Sequence, residues 1–157
     1  MTQLSTCLWF DGRAEEAAAF YVAVFPAGRI LKTSLYPEGS PGTPGSVLTV
    51  RFTLNGVAYT AFNGMPGVSF SPAISLVATC ADQAEVDRLW AALSEGGQVQ
   101  QCGWLTDRFG VCWQIVPAAL IRMIEGDDPA ATQRAFSAML DMIKLDIAAL
   151  EQAYRSA

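Results

Sequence analysis

The chain repeats itself at two offsets, and that repetition limits its possible folds more than any single motif. A shift of 70 residues sets Leu4 on Ile74, Ser5 on Ser75, Ala14 on Ala84, Glu15 on Glu85 and Phe20 on Trp90. Identities are few, so the pattern carries the case. In each copy an apolar run of strand length, "LSTCLWF" and then "AISLVATC", leads through an acidic residue into a helical period. Ala17, Phe20 and Val24 mark the first helix; Val86, Leu89 and Leu93 mark the second. The helices also start alike. Asp82 with Glu85 forms a capping box, and Asp11 is placed to cap the first helix, with Glu15 and Glu16 in its opening turn.

A second offset, of 54, sets "NGVAYTAF" on "FGVCWQIV", with Gly56 on Gly110, Val57 on Val111 and Tyr59 on Trp113. Both runs read as closing strands of a hairpin entered through a turn glycine. The first copy is the longer, and the Pro/Gly/Ser-rich residues 37–46, flanked by the strands "GRILKTSLY" and "SVLTVRFTL", supply most of the difference. In the second copy "QVQQCGWL" reads as a strand that leads into the short turn "TDRFG". The expected fold class is α+β: two tandem βαβββ modules, residues 1–66 and 70–117, and a C-terminal helical tail, 118–157, in a single domain. In the tail, Asp128 caps with Pro129 at the first helical position. The recurrence of Phe136, Leu140, Ile143, Ile147, Leu150 and Tyr154 then predicts one helix over most of residues 129–154. Its apolar stripe either packs on its own domain or helps a second subunit dock.

Composition narrows the function. With 52% hydrophobic residues the chain has ample material for a core. A net charge of -5, no histidine, and ten Lys plus Arg without a run argue against nucleic acid as a partner. The N-terminus lacks a charged start with a long apolar core, and no apolar run approaches a membrane span, so no membrane partner and a cytoplasmic location are expected. The four cysteines form no CxxC pair and read as free thiols, most of them buried.

"CLWFDGRAEEAAAFYVAVF", "FNG" at 62–64, "AEVDRLWAAL", "GWLTDRFGVCWQIVP" and a late "KLDIAAL" occur in order and at compatible spacing. Together the modules and signatures resemble the PhnB-like branch of the vicinal oxygen chelate (glyoxalase/bleomycin resistance/dioxygenase) superfamily, often labelled 3-demethylubiquinone-9 3-methyltransferase. The resemblance covers nearly the whole chain. It implies curved mixed sheets with helices outside and a cleft within, each module forming one wall, and it implies a homodimer.

In the metal-using members of that superfamily, His, Gln and Glu on the first and last strands of the modules hold a divalent ion. Strand alternation turns Ser5, Cys7, Trp9, Ser75, Val77 and Thr79 toward the cleft, with Thr60 and Gln114 matching on the closing strands. Gln114 stands where the resemblance places a metal-binding Glu. Ser, Thr, Ser and Gln are all neutral, so no metal and no cofactor are expected. Nor does a glycine-rich turn follow the first strand as in a typical S-adenosylmethionine domain; Gly96 and Gly97 close a helix instead.

The expected ligand-binding set is Ser5, Cys7, Trp9, Thr60, Phe62, Asn63, Ser75, Cys102, Trp104 and Gln114, an apolar and aromatic pocket with a few polar fixtures. Each aromatic has packing in the core as its alternative reading, which is favoured for Trp113 and Trp90. Alternation over 98–104 would put Gln98, Gln100, Cys102 and Trp104 on one face, with Trp104 either a stacking wall or packed under residues 37–46. The thiols read as inert, with no histidine to activate them, and Asp107 and Arg108 as parts of a structural turn. Two functions stay open. One is a metal-independent protein that binds an aromatic or amphipathic small molecule. The other is an enzyme, a methyltransferase as the label says or a lyase or isomerase.

Overall fold

Apolar residues at every second position of a strand, next to a helix with small residues on one side, specify a sheet with one helix-covered face, and the protein builds that layer twice. The computed structural model describes residues 1–156. In the first unit, Met1–Ser69, the order is β1 (Thr6–Phe10), α1 (Ala14–Val24), β2 (Arg29–Leu35), β3 (Val47–Leu54) and β4 (Val57–Asn63). In the second, from Phe70 onward, it is β5 (Leu76–Cys80), α2 (Gln83–Ser94), β6 (Gln98–Val99), β7 (Trp104–Thr106) and β8 (Cys112–Pro117). The tail holds α3 (Ala118–Ile124), α4 (Pro129–Leu140) and α5 (Ile147–Arg155). The fold is therefore α+β, two tandem βαβββ modules and a helical tail. Among the described residues no helix is long and apolar enough to cross a membrane.

Each unit has one four-stranded mixed sheet, ordered β1-β4-β3-β2 in the first and β5-β8-β7-β6 in the second. First and last strands run parallel while the others pair antiparallel. Both sequence offsets survive: β1 and β5 start at Thr6 and Leu76, and the turn glycines Gly56 and Gly110 share positive φ of 84° and 87°. Those angles favour glycine, which has no Cβ to press against the backbone there.

In the first unit, Leu8, Phe10, Val50, Phe52, Leu54 and Ala61 are buried beneath α1, whose Ala14, Ala17, Ala18 and Tyr21 meet them. Tyr21, Phe52 and Tyr59 stack in series at 6.2 and 5.4 Å. The core of the second unit includes Ala78, Ile115, Trp113 and Leu105 with Val86, Leu89 and Leu93 of α2.

Three local expectations are corrected. Asp11 does not cap α1; the helix starts after Arg13 without a cap from its own segment, and Asn63 Oδ1, from the end of β4, accepts from Ala14 N at 2.8 Å. "QVQQCGWL" is not one strand. Cys102 and Gly103 adopt φ of 61° and 79°, and β6 folds back on β7 with Gln98 opposite Thr106. The stretch expected as one helix over 129–154 is broken at residues 141–146, because Asp141 ends α4 while Asp146 caps α5 by accepting from Ala149 N. Leu150 is buried, with Ile147 and Tyr154 packed beside it, but Phe136, Leu140 and Ile143 are exposed.

Candidate functional site

In the first unit, the sheet face turned away from α1 gathers side chains in rows, because paired residues of neighbouring strands project to the same side. One row crosses all four strands: Lys32, Arg51, Thr60, Cys7. The next is Ser34, Thr49, Phe62, Trp9. Cys7, Trp9, Thr60 and Phe62, four of the expected residues, thus form one contiguous block. Ser5 lies just outside β1 and is exposed.

Trp9 and Phe62 make an aromatic corner, with ring centroids 5.0 Å apart and planes at 76°. Edge-to-face contact of this kind adds roughly 1 kcal/mol beyond area burial. Trp9 remains 37% exposed, yet it is held: Nε1 donates to Met65 O at 3.2 Å, and a Cβ at Gly64 would fall inside the indole. Glycine at 64 is what lets the ring lie over the backbone. Asn63 is committed elsewhere. Besides capping α1, its Nδ2 donates to Glu15 Oε2 at 2.8 Å and to Val47 O at 3.1 Å, so it ties β4 to helix and loop. Although residue Cys7 is exposed, partial desolvation of its sulfur raises the thiol above its ordinary value, which disfavours the nucleophilic thiolate. Cys80, buried, is pushed up to about 11 by burial and then by Glu85. Cys112 is also buried and Cys102 half-buried.

On the corresponding face of the second sheet, Trp104 stands opposite Gln114 and Gln114 beside Val77. Gln114 Nε2 donates to Ser75 Oγ at 2.9 Å, which brings these three expected residues together. Cys102 does not join them on a strand face. It sits in the β6–β7 turn, where Cys102 N donates to Met142 O and Gly103 N to Ile143 O, each at 2.8 Å. Trp113 is core, 2% exposed, and its Nε1 donates to Asp107 Oδ2 at 2.8 Å. Asp107, 3% exposed, also accepts from Phe109 N and Val111 N through Oδ1 at 2.8 and 3.1 Å. The turn is structural, as its sequence indicated.

Sequence reading missed Arg29, Lys32 and Arg51. They are far apart in the chain and fall within strands, so no run of charge announces them; the alternation of Thr49, Arg51 and Thr53 with buried Val50 and Phe52 was the available signal. A surface depression of about 410 Å³ in the second unit, lined in part by Asp82, Gln83, Arg122 and Ile147, includes none of the expected residues.

The sequence model of the 3-demethylubiquinone-9 3-methyltransferase family matches residues 2–116. Among solved structures, a PhnB protein of Bacillus cereus, described as a 3-demethylubiquinone-9 3-methyltransferase, is 34% identical with a TM-score of 0.68; the match covers 74% of this chain and 100% of that one. Protein PA1353 of Pseudomonas aeruginosa is 26% identical with a TM-score of 0.63, over 74% of this chain and 98% of that one. No curated protein matches. The family match ends at the close of β8, before the tail helices. Two βαβββ modules matched almost end to end place this chain in the PhnB-like 3-demethylubiquinone-9 3-methyltransferase family.

Proposed function

We propose that the protein binds a small aromatic or amphipathic molecule without a metal, and that the face of the first sheet away from α1 is its main contact surface. The observation that supports this most is the Trp9–Phe62 corner, an aromatic pair held in place yet left accessible beside the hydroxyls of Thr60 and Thr49. Trp104 with Gln114 and Ser75 is a second proposed contact set on the second sheet. The donors at the positions that hold a metal in the metal-using members of the superfamily, Ser5, Thr60, Ser75 and Gln114, are two serines, a threonine and an amide already bonded to Ser75. A divalent ion calls for imidazole or carboxylate donors, so this set does not fit one.

The family description favours a second reading, methyl transfer. Its chemistry would need a cofactor site unlike the doubly wound parallel sheet of dinucleotide-type domains, since each sheet here is four-stranded and mixed. The proposed setting is the cytoplasm, and the proposed partner a second copy of the chain. Exposed Phe136, Leu140 and Ile143 support that partner. Light scattering should give a mass near twice 16.8 kDa; a monomer at every concentration contradicts it.

A thermal-shift screen of aromatic and amphipathic compounds tests the binding reading. A hit should lose roughly tenfold in affinity in folded Trp9→Leu, equal to about 1.4 kcal/mol. A screen without hits, or unchanged affinity in that variant, overturns the reading.

A further inference from the structure

The cations of the first unit are concentrated on one face. Residues 1–69 contain four acids and four bases, while residues 70–157, with eleven acids and six bases, hold the whole net charge of -5. Of the four bases, Arg13 pairs with Glu16 on α1. The other three stand on the sheet face away from α1: Lys32 directly opposite Arg51, and Arg29 opposite Thr53 in an adjoining row. All three are exposed, and among the described residues none has a carboxylate at ion-pair distance. No acidic residue occupies a paired position on that face among the described residues.

Such an arrangement costs stability. Like charges directly opposite on antiparallel strands repel across Cβ separations of about 5 Å. The cross-strand neighbours of Arg51 are Lys32 and Thr60, so nothing in the rows offsets the repulsion. Breaches of a local rule without an internal compensation concentrate at functional sites. The missing compensation is a negative charge from outside. Its distance from the aromatic corner is also fixed, since Arg51 and Trp9 lie one row apart and two strands apart, on the order of 10 Å.

We infer that the ligand of this face is an organic anion, resting on the reading above of the same face as the binding surface. An oxyanion, whether sulfonate, carboxylate or phosphate, lies against the Arg51 guanidinium and the Lys32 ammonium. The aromatic or apolar body extends across Thr60 to Phe62 and Trp9.

Two probes with nearly the same rings but different charge separate this inference from its premise: anilinonaphthalene sulfonate and the uncharged phenylnaphthylamine, titrated by fluorescence into the full chain. Wild type should prefer the sulfonate by at least about tenfold, with the preference shrinking as salt rises. Arg51→Gln should lose roughly tenfold for the sulfonate and nothing for the amine. Without probe it should melt no lower than wild type, because the repulsion with Lys32 is gone. Trp9→Leu should weaken both probes. If Arg51→Gln and Lys32→Gln leave sulfonate binding unchanged while Trp9→Leu weakens both probes, the face binds but not through charge, and the anion inference falls alone. Indifference of both probes to Trp9→Leu overturns the binding face and the inference with it. Displacement of the sulfonate by a short single-stranded oligonucleotide at lower concentration than by benzoate replaces a small molecule with nucleic acid and also overturns it.

Discussion

The two modules share strand order, parallel and antiparallel pairings and the glycine before the closing strand, but the sheet faces away from their helices have little in common. The first face carries Arg29, Lys32 and Arg51 with an aromatic corner. On the second, the paired residues Trp104, Gln114, Val77, Thr106 and Cys112 are all uncharged. The repeat is kept where it makes a core and diverges on the faces turned away from the helices. Strand lengths differ too. β2 and β3 have seven and eight residues against two and three in β6 and β7, so the first sheet offers more surface. The second unit instead has a buried carboxylate at its last hairpin and tail residues bonded to its β6–β7 turn.

The difference in stability between the modules should be largest at Asp107. Asp107→Ala leaves Trp113 Nε1 and two backbone N–H groups of the turn without their acceptor and should cost about 3–5 kcal/mol by denaturant titration. The matching residue in the first module at the offset of 54 is Thr53, half-buried on the outer face; Thr53→Ala should change stability by only about 0.5 kcal/mol. Similar costs at both positions would mean that the modules are stabilised alike.

Leu145 is fully buried in the tail segment, its side chain close to Gly103. Leu145→Ala should cost about 3 kcal/mol and raise hydrogen exchange at Cys102 and Gly103, whose amides bond to that segment. Gly64→Ala comes next. Its methyl would displace the indole, costing about 1–3 kcal/mol and shifting tryptophan fluorescence as the bond from Trp9 to Met65 O is lost.

The smallest effect expected is one of pH. A hydrogen bond from Lys144 Nζ to Asp87 Oδ1 at 2.6 Å, and then one from Gln83 at 3.0 Å, hold the Asp87 carboxyl below its ordinary value of 3.8. A carboxyl depressed by folding adds stability above its unfolded value and loses that contribution as pH falls through the folded one. Lys144→Met should therefore be slightly less stable than wild type near neutral pH, with the difference closing below pH 3.8. A constant gap across an acid titration contradicts the link.

How much of this was legible depended on whether the signal was local. The strand and helix periods of β1, α1, β5 and α2, the glycines at 56 and 110, and the Asp82 and Asp128 caps are short-range features, and these appear where the sequence puts them. Asn63 capping α1 from 49 residues away had no such signal, so the nearer Asp11 was the natural but mistaken choice. The turn at Cys102 was hidden because a non-glycine residue at positive φ breaks an otherwise smooth alternation. In the tail, an uninterrupted apolar spacing masked the break that Asp146 marks. Of the candidate site, alternation put Cys7, Trp9, Thr60 and Phe62 on one face, where the pairing of β1 with β4 has them, whereas the cations beside them needed the register of β2 on β3.

The most direct measurement is an amide chemical-shift titration of the full chain with anilinonaphthalene sulfonate. Binding at the first sheet should concentrate the largest shifts on Cys7, Trp9, Arg51, Thr60 and Phe62, with weaker ones at most around Trp104 and Gln114. Shifts confined to the second unit, for example around Gln83, Arg122 and Ile147 in the depression there, would contradict it.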